Sequence, residues 1–262
     1  MNTTAEPVLP SAGYFTIAVC RNCAAPLHGP HCSQCGQKKA ARIGTASLRR
    51  EIWEKLRVFE LDHLQSALRL LAGPGCVARE YVLGVRKRHT HPLKLLLLAI
   101  AVLLVVLAQT RYLHSSNVQV SKVMETVRKY AEWSFSLGLA AIWLASLAGF
   151  HRSRGYNATE HLVLALYAHF LIILANIANQ LPLLLLRSPA WLAGHKQWSG
   201  WYMDAVELGI VQLALSQFFL VDLRRHWWRL ALAGITFVVA KTLLLYLYAL
   251  ALVKLVLARA AS

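Results

Sequence analysis

The 262-residue chain predicts an all-α polytopic membrane protein of about five transmembrane helices, headed by a small N-terminal zinc ribbon. Three observations carry that prediction. Hydrophobic residues make up 57% of the sequence, mean hydropathy is +0.45, and several apolar runs are long enough to cross a bilayer. Two CxxC pairs open the chain, in CRNCAAPLHGPHCSQCGQKK. Lys and Arg number 28 against 12 Asp and Glu, a formal charge of +16, and half of the 28 lie at or before Lys94, at the mouth of the first apolar run. A basic excess placed there reads as the cytoplasmic side of a membrane protein.

Residues 1–13 are expected to be a disordered N-terminus. A signal peptide is not expected, because the first 20 residues hold no Lys or Arg and no apolar run of adequate length. IAVC resembles a lipoprotein cleavage box, but Val19 is the wrong size before the cysteine.

Residues 14–40 predict the ribbon. In Cys20-x2-Cys23 and Cys32-x2-Cys35 each pair presents two thiolates from one tight turn, and two such turns complete a tetrahedral all-sulfur site. YFTIAV before the first pair reads as a short strand. Pro26, Gly29 and Pro30 turn the chain between the pairs, and Gly36 admits a close approach of backbone to sulfur. Four thiolates around Zn2+ sum to a charge of −2, which Arg21, Lys38, Lys39 and Arg42 offset. The four ligands close the shell, so the metal is structural; a catalytic zinc keeps a position open. A unit of about 25 residues buries too little to fold alone, and metal binding, worth about 10 to 16 kcal/mol in comparable units, supplies its folding energy. Iron satisfies the same spacing. A thioredoxin-like redox pair lacks its βαβ unit, and two disulfides sit poorly with the odd fifth cysteine, Cys76, and the basic N-terminal side. His28 and His31 read as surface turn residues beside a ligand set already complete.

Residues 45–91 predict two basic amphipathic interfacial helices. Leu48, Ile52, Leu56, Phe59, Leu64, Leu68 and Leu71 recur near one helical face, with Arg49, Arg50, Glu54, Arg57, Glu60 and Arg69 elsewhere. Gly73-Pro74-Gly75 breaks that helix. A second, CVAREYVLGVRKRH, places Val77, Tyr81 and Val85 on one side and ends in Arg86, Lys87 and Arg88. Two readings stay open: helices lying on anionic lipid at about 1 kcal/mol per basic residue, or helices packed on the bundle whose arginines set topology. Nucleic acid is not an expected partner, since no recognition helix or groove-reading element is evident.

Residues 92–262 predict the bundle, with spans at about 93–109, 133–150, 161–186, 205–221 and 229–257. The last is long enough to tilt or project. With the N-terminus cytoplasmic, the loops at 151–159 (Arg152, Arg154) and 222–228 (Arg224, Arg225) obey the positive-inside rule. The opposite loop, 110–132, carries Arg111, Lys122, Arg128 and Lys129 beside Glu125 and Glu132, and Val120, Val123, Val127 and Tyr130 suggest an outer amphipathic helix there. Trp133, Trp191, Trp198, Trp201, Trp227 and Trp228 flank the runs as an aromatic belt. Asn157-Ala158-Thr159 matches a glycosylation sequon by chance, in a loop placed inside.

The stretch from CSQCGQKK to GPGCVAREYVLGVRKRHTHPLKLLL resembles the bacterial membrane-protein family known as domain of unknown function 3667. The residues that carry the resemblance are Pro74-Gly75, Arg79-Glu80-Tyr81, Gly84, Arg86-Lys87-Arg88 and Pro92, and it covers about residues 20–98. It implies a multi-pass protein of the bacterial inner membrane and brings no activity with it.

Polar residues inside apolar runs are candidate functional groups, because lipid solvates them poorly. His169, Asn176 and Gln180 share one face of the third run, with His161 and Asn179 beside it, and Lys241 lies near the centre of the fifth. Gln212 and Glu207 on the fourth are its expected partners. Interhelical bonding explains such residues, as does a substrate or proton path. Three functions follow in order: a scaffold or accessory factor that recruits a cytoplasmic protein, a small transporter or channel using the polar stripe and Lys241, and an intramembrane enzyme. The enzyme reading lacks convergent groups, since Glu160, Asp204, Glu207 and Asp222 lie at or near run ends. The sequence leaves the oligomeric state open.

Overall fold

A computed structural model describes residues 9–45, 47, 62–110, 137–151, 155–186 and 188–260. The helices are α1 (Ala12–Thr16), α2 (Asp62–Ala72), α3 (Pro74–Val82), α4 (Pro92–Thr110), α5 (Leu137–Phe150), α6 (Ala158–Leu185), α7 (Pro189–Phe218) and α8 (Leu223–Ala260). Among the described residues extended pairing is confined to two isolated bridges in the ribbon, Val19 with Pro26 and His31 with Lys38.

The strand expected at YFTIAV is not formed. Tyr14, Phe15 and Thr16 close the short helix α1, because Ser11 caps it by accepting the Tyr14 N–H at 3.3 Å, and Arg21 lies 3.7 Å over the Tyr14 ring. Of that stretch Val19 keeps a strand-like pairing, in its isolated bridge to Pro26. The first half of the expected amphipathic helix and the outer helix near Val120 to Tyr130 fall outside the described residues.

α6 is the centre of the molecule. Its start is a capping box: Asn157 accepts the Glu160 N–H at 2.9 Å and the Glu160 carboxylate accepts the Asn157 N–H at 2.7 Å. Val163 to Ile173 are then buried without interruption, so the helix is surrounded on every side there. α4 packs along it through Leu95, Leu96, Ala99, Leu103 and Val106, at steps of three and four, leaving Leu97, Leu98, Val102 and Val105 on the outer face. α3 wedges between α6 and α7. It can approach α7 only because residue 75 is Gly, where a Cβ would fall 2.2 Å from the Ala214 carbonyl oxygen. The Gly75 N–H donates to the Gln217 side chain at 3.1 Å. Thus GPG ends α2 as expected, and its second glycine also makes a helix crossing.

Pro92–Thr110, Ala158–Leu185 and Leu223–Leu255 are long and apolar enough to cross a membrane, with hydropathy 2.5, 2.0 and 2.0. These correspond to the first, third and fifth expected runs. α5 is apolar but short over the described residues, the expected second run starting at 133 beyond them. α7 extends back to Pro189, well before the expected 205, and Asp204, Glu207, Gln212 and Gln217 keep it below the hydropathy of the other three. α8 runs 38 residues with a kink at His226, about 57 Å in all.

Candidate metal centre and its docking on the bundle

The two CxxC turns are copies of one another, twelve residues apart. Cys20 accepts from the Ala24 N–H at 2.9 Å and its own N–H donates to the Ala25 carbonyl at 2.8 Å; Cys32 does the same with Gly36 at 2.8 Å and Gln37 at 2.9 Å. Ala24 and Gly36 both hold left-handed backbone, φ 60° and 70°. Such a turn folds each pair of thiols toward one point.

There the Sγ atoms of Cys20, Cys23, Cys32 and Cys35 all lie within 4.8 Å of one another, with Cys20 to Cys35 at 3.6 Å and Cys23 to Cys32 at 3.5 Å. A tetrahedron of thiolates about 2.3 Å from a metal has edges of about 3.8 Å, so the donor set fits a four-coordinate ion. Its proton chemistry agrees. The Cys35 backbone N–H leads in pulling the Cys32 thiol down to about 7. Against the lowering pull of the Ala25 N–H, desolvation and the three neighbouring sulfurs push the exposed Cys23 thiol up to about 12. Four sulfurs so crowded ionise together only around a cation. Held by all four, the ion supplies structure and no open coordination position. His28 and His31 are exposed and stand outside this set.

The ribbon is docked on the helices. Gln37, buried at 7% exposure, spans the gap with its amide: its N–H donates to the Gly84 carbonyl at 2.9 Å, and its oxygen accepts the backbone N–H groups of Arg86 at 3.0 Å and Lys87 at 2.9 Å. Lys87 Nζ donates back to the Cys35 carbonyl, and Arg86 Nη2 to that of Ala41. Gly84, φ 100°, lies so close that a Cβ there would be 2.7 Å from that of Ala40. Seven residues beyond the last of these cysteines the Arg42 fork binds both oxygens of the fully buried Glu160 at 3.0 and 3.1 Å, and the Asn157 amide donates to the Ile43 carbonyl at 2.9 Å. Ile43 itself joins the helical core.

The motif residues therefore serve the docking loop. Tyr81 is fully buried, edge-on to Tyr167 and His91. The Glu80 carboxylate meets His89 Nε2 at 2.7 Å, yet burial outweighs that carboxylate and holds the His89 ring below the ordinary histidine value. Arg69 Nη1 donates to the Arg88 carbonyl at 2.9 Å, and the Tyr167 hydroxyl to that of Thr90 at 2.7 Å. Arg79 is half-buried on α3. On α2 the inward residues are Ser66 and Leu70, whereas Leu68 and Leu71 stay 57% and 60% exposed. Gln37, Arg42 and Glu160 were not singled out by sequence as a docking set; the one signal is that Gln37 occupies, in the second knuckle, the repeat position of the small Ala25.

The polar stripe of the third run and Lys241 take separate partners. Asn176 donates to its own helix, at Ile172, at 3.0 Å; His169 packs against Gly138 of α5; Gln180 is buried further along. Gln212 donates to the Leu230 carbonyl at 3.0 Å, crossing α8 at Gly234. Lys241 instead pairs with Asp204 at 2.7 Å and Glu207 at 2.6 Å. Of its two expected partners, Glu207 takes that role, and Asp204 was missed because it lies a turn nearer the start of α7.

Fold and site together define a helical protein with three candidate membrane spans among the described residues and a four-thiol N-terminal site packed on the bundle. Residues 64–104, from α2 through much of α4, match the family model described as "Protein of unknown function (DUF3667)". No curated protein and no solved structure matches the chain.

Proposed function

We propose that the chain is a multi-pass protein of a bacterial inner membrane whose N-terminal ribbon holds a structural Zn2+ on the cytoplasmic side and recruits a cytoplasmic protein, as a scaffold or accessory factor. The observation that carries this reading is the docking of the ribbon through Gln37 and Arg42. A metal-closed unit fastened at one edge leaves its other edge, with His28, Pro30, His31, Ser33 and Gln34, exposed and fixed in orientation. A four-thiolate shell has no position for substrate, which favours binding over catalysis. Cytoplasmic orientation is supported by the basic residues Arg86, Lys87, Arg88, Arg224 and Arg225, all at the ribbon end. The test places a photocrosslinking residue at His31 and, as a control, at Leu250 of α8. Scaffold function expects one abundant crosslinked protein from His31 that disappears when Cys20→Ser removes the metal; equal products from both positions, or none, sink it. Elemental analysis of the purified protein should give one zinc per chain.

A transport reading has one observation in its favour, the Lys241 cluster inside a candidate span. Lys241→Met protein that supports the same cellular phenotype as the native chain removes it.

A further inference from the structure

Two grooves flank α8, and they differ in chemistry. One, about 410 Å³, lies between α7 and α8 and is lined by Leu208, Gln212, Ala231, Gly234, Ile235, Val238 and Val239, without a charged side chain. The other, about 740 Å³, opens between α5 and α8. The two helices touch at Gly149, where a Cβ would come 2.9 Å from the Arg229 carbonyl oxygen and 3.1 Å from the Ala233 Cβ. Its apolar wall consists of Leu144, Leu147, Ala148 and Ala240, with Thr236 among them, and its ribbon end carries His151, Trp228 and Arg229. The Arg229 guanidinium lies 5.2 Å from the Trp228 ring.

An apolar channel that ends in an arginine, a histidine and an indole has the polarity of one lipid molecule. Indoles settle at the level of the headgroups, and basic side chains on the cytoplasmic leaflet attract anionic ones. We propose that the α5–α8 groove is a binding site for a single anionic phospholipid, with an acyl chain along Leu144, Ala148 and Ala240 and its phosphate on Arg229 and His151. The site rests on the membrane reading of α8 and on the cytoplasmic orientation proposed for the ribbon end, and is independent of whether the ribbon recruits a protein. The α7–α8 groove, with no basic end, takes acyl chains without regard to headgroup.

The protein purified in detergent is incubated with equal dioleoylphosphatidylglycerol and dioleoylphosphatidylcholine, and retained lipid is counted by native mass spectrometry. Expected is one tightly held phosphatidylglycerol. Arg229→Gln should lower the preference for it roughly fivefold. Ala148→Trp, filling the channel, should remove the adduct while circular dichroism stays unchanged. Arg225→Gln, at the same end but outside the groove, should leave the preference intact. Equal retention of both lipids, an Arg225→Gln loss as large as that of Arg229→Gln, or full retention by Ala148→Trp overturns the proposal. Inorganic phosphate displacing the lipid at equal concentration also overturns it, since the headgroup alone would then account for binding. Should Arg229→Gln misfold, the Ala148→Trp and phosphate arms decide. Loss of lipid selectivity with His31 crosslinking intact would refute the groove and leave the scaffold reading standing.

Discussion

The ribbon end and the far half of α8 are built by opposite means. At the ribbon end nearly every turn is tied by a directed bond: sulfur to a shared centre, Gln37 to three backbone groups, Arg42 to Glu160. Along α8 the large side chains Ile235, Val239, Leu243, Tyr246, Leu247 and Val253 stand at least half exposed. Water would not tolerate that surface, but hydrocarbon does, and helices there satisfy their own backbone. A chain in two solvents thus needs specific polar geometry where water competes and little of it where lipid covers.

Removing the metal should have the largest effect and test the comparison most severely. Chelation, or Cys20→Ser, is expected to abolish hydrogen-exchange protection across 18–43 while α4 and α6 keep theirs. Loss of protection in both would mean that the bundle depends on the ribbon. Next comes Gly75→Val, whose side chain must enter the backbone at Ala214 and Phe218 and the Cβ of Gln217. It is expected to cost about 3 kcal/mol, read as a lower thermal transition in detergent. An unchanged transition would deny the α3–α7 crossing. Gln37→Ala should cost about 1 to 3 kcal/mol by leaving the Arg86 and Lys87 N–H groups without their acceptor. Exchange should rise at 84–88 with metal content unchanged, which separates docking from folding of the ribbon. The smallest effect points the other way. Ala24→Gly relieves left-handed backbone at φ 60°, and should stabilise the ribbon by about 1 kcal/mol, raising metal affinity in chelator competition about fivefold.

Much of the ribbon was legible beforehand. Ligands three residues apart, repeated at a fixed offset, are a local pattern, and the geometry that brings the sulfurs together follows from the turns themselves. Capping is equally local, and at Ser11 it outweighs the strand pattern, so a helix forms in place of the expected strand. In sequence the motif residues form a set at the membrane face, and their service to the ribbon is not visible there, because it depends on Gln37 meeting a loop that begins at Gly84. For the same reason α2 exposes Leu68 and Leu71 although its pattern counts them on one face with Leu64. Periodicity states that a face exists, and only the neighbours decide which face is covered.

By itself the sequence determined the four-thiol donor set, the apolar helices and their basic end, since spacing, hydrophobic run length and charge act within a few residues of where they are written. Tertiary structure alone decided that Gln37 grips the 84–87 loop, that Arg42 reaches Glu160, and that Lys241 binds Asp204 and Glu207. Those pairs lie 34 to 118 residues apart. Their distances depend on how α6, α7 and α8 cross, and the crossings depend on small residues such as Gly75, Gly149 and Gly234, whose role is to let another helix come near.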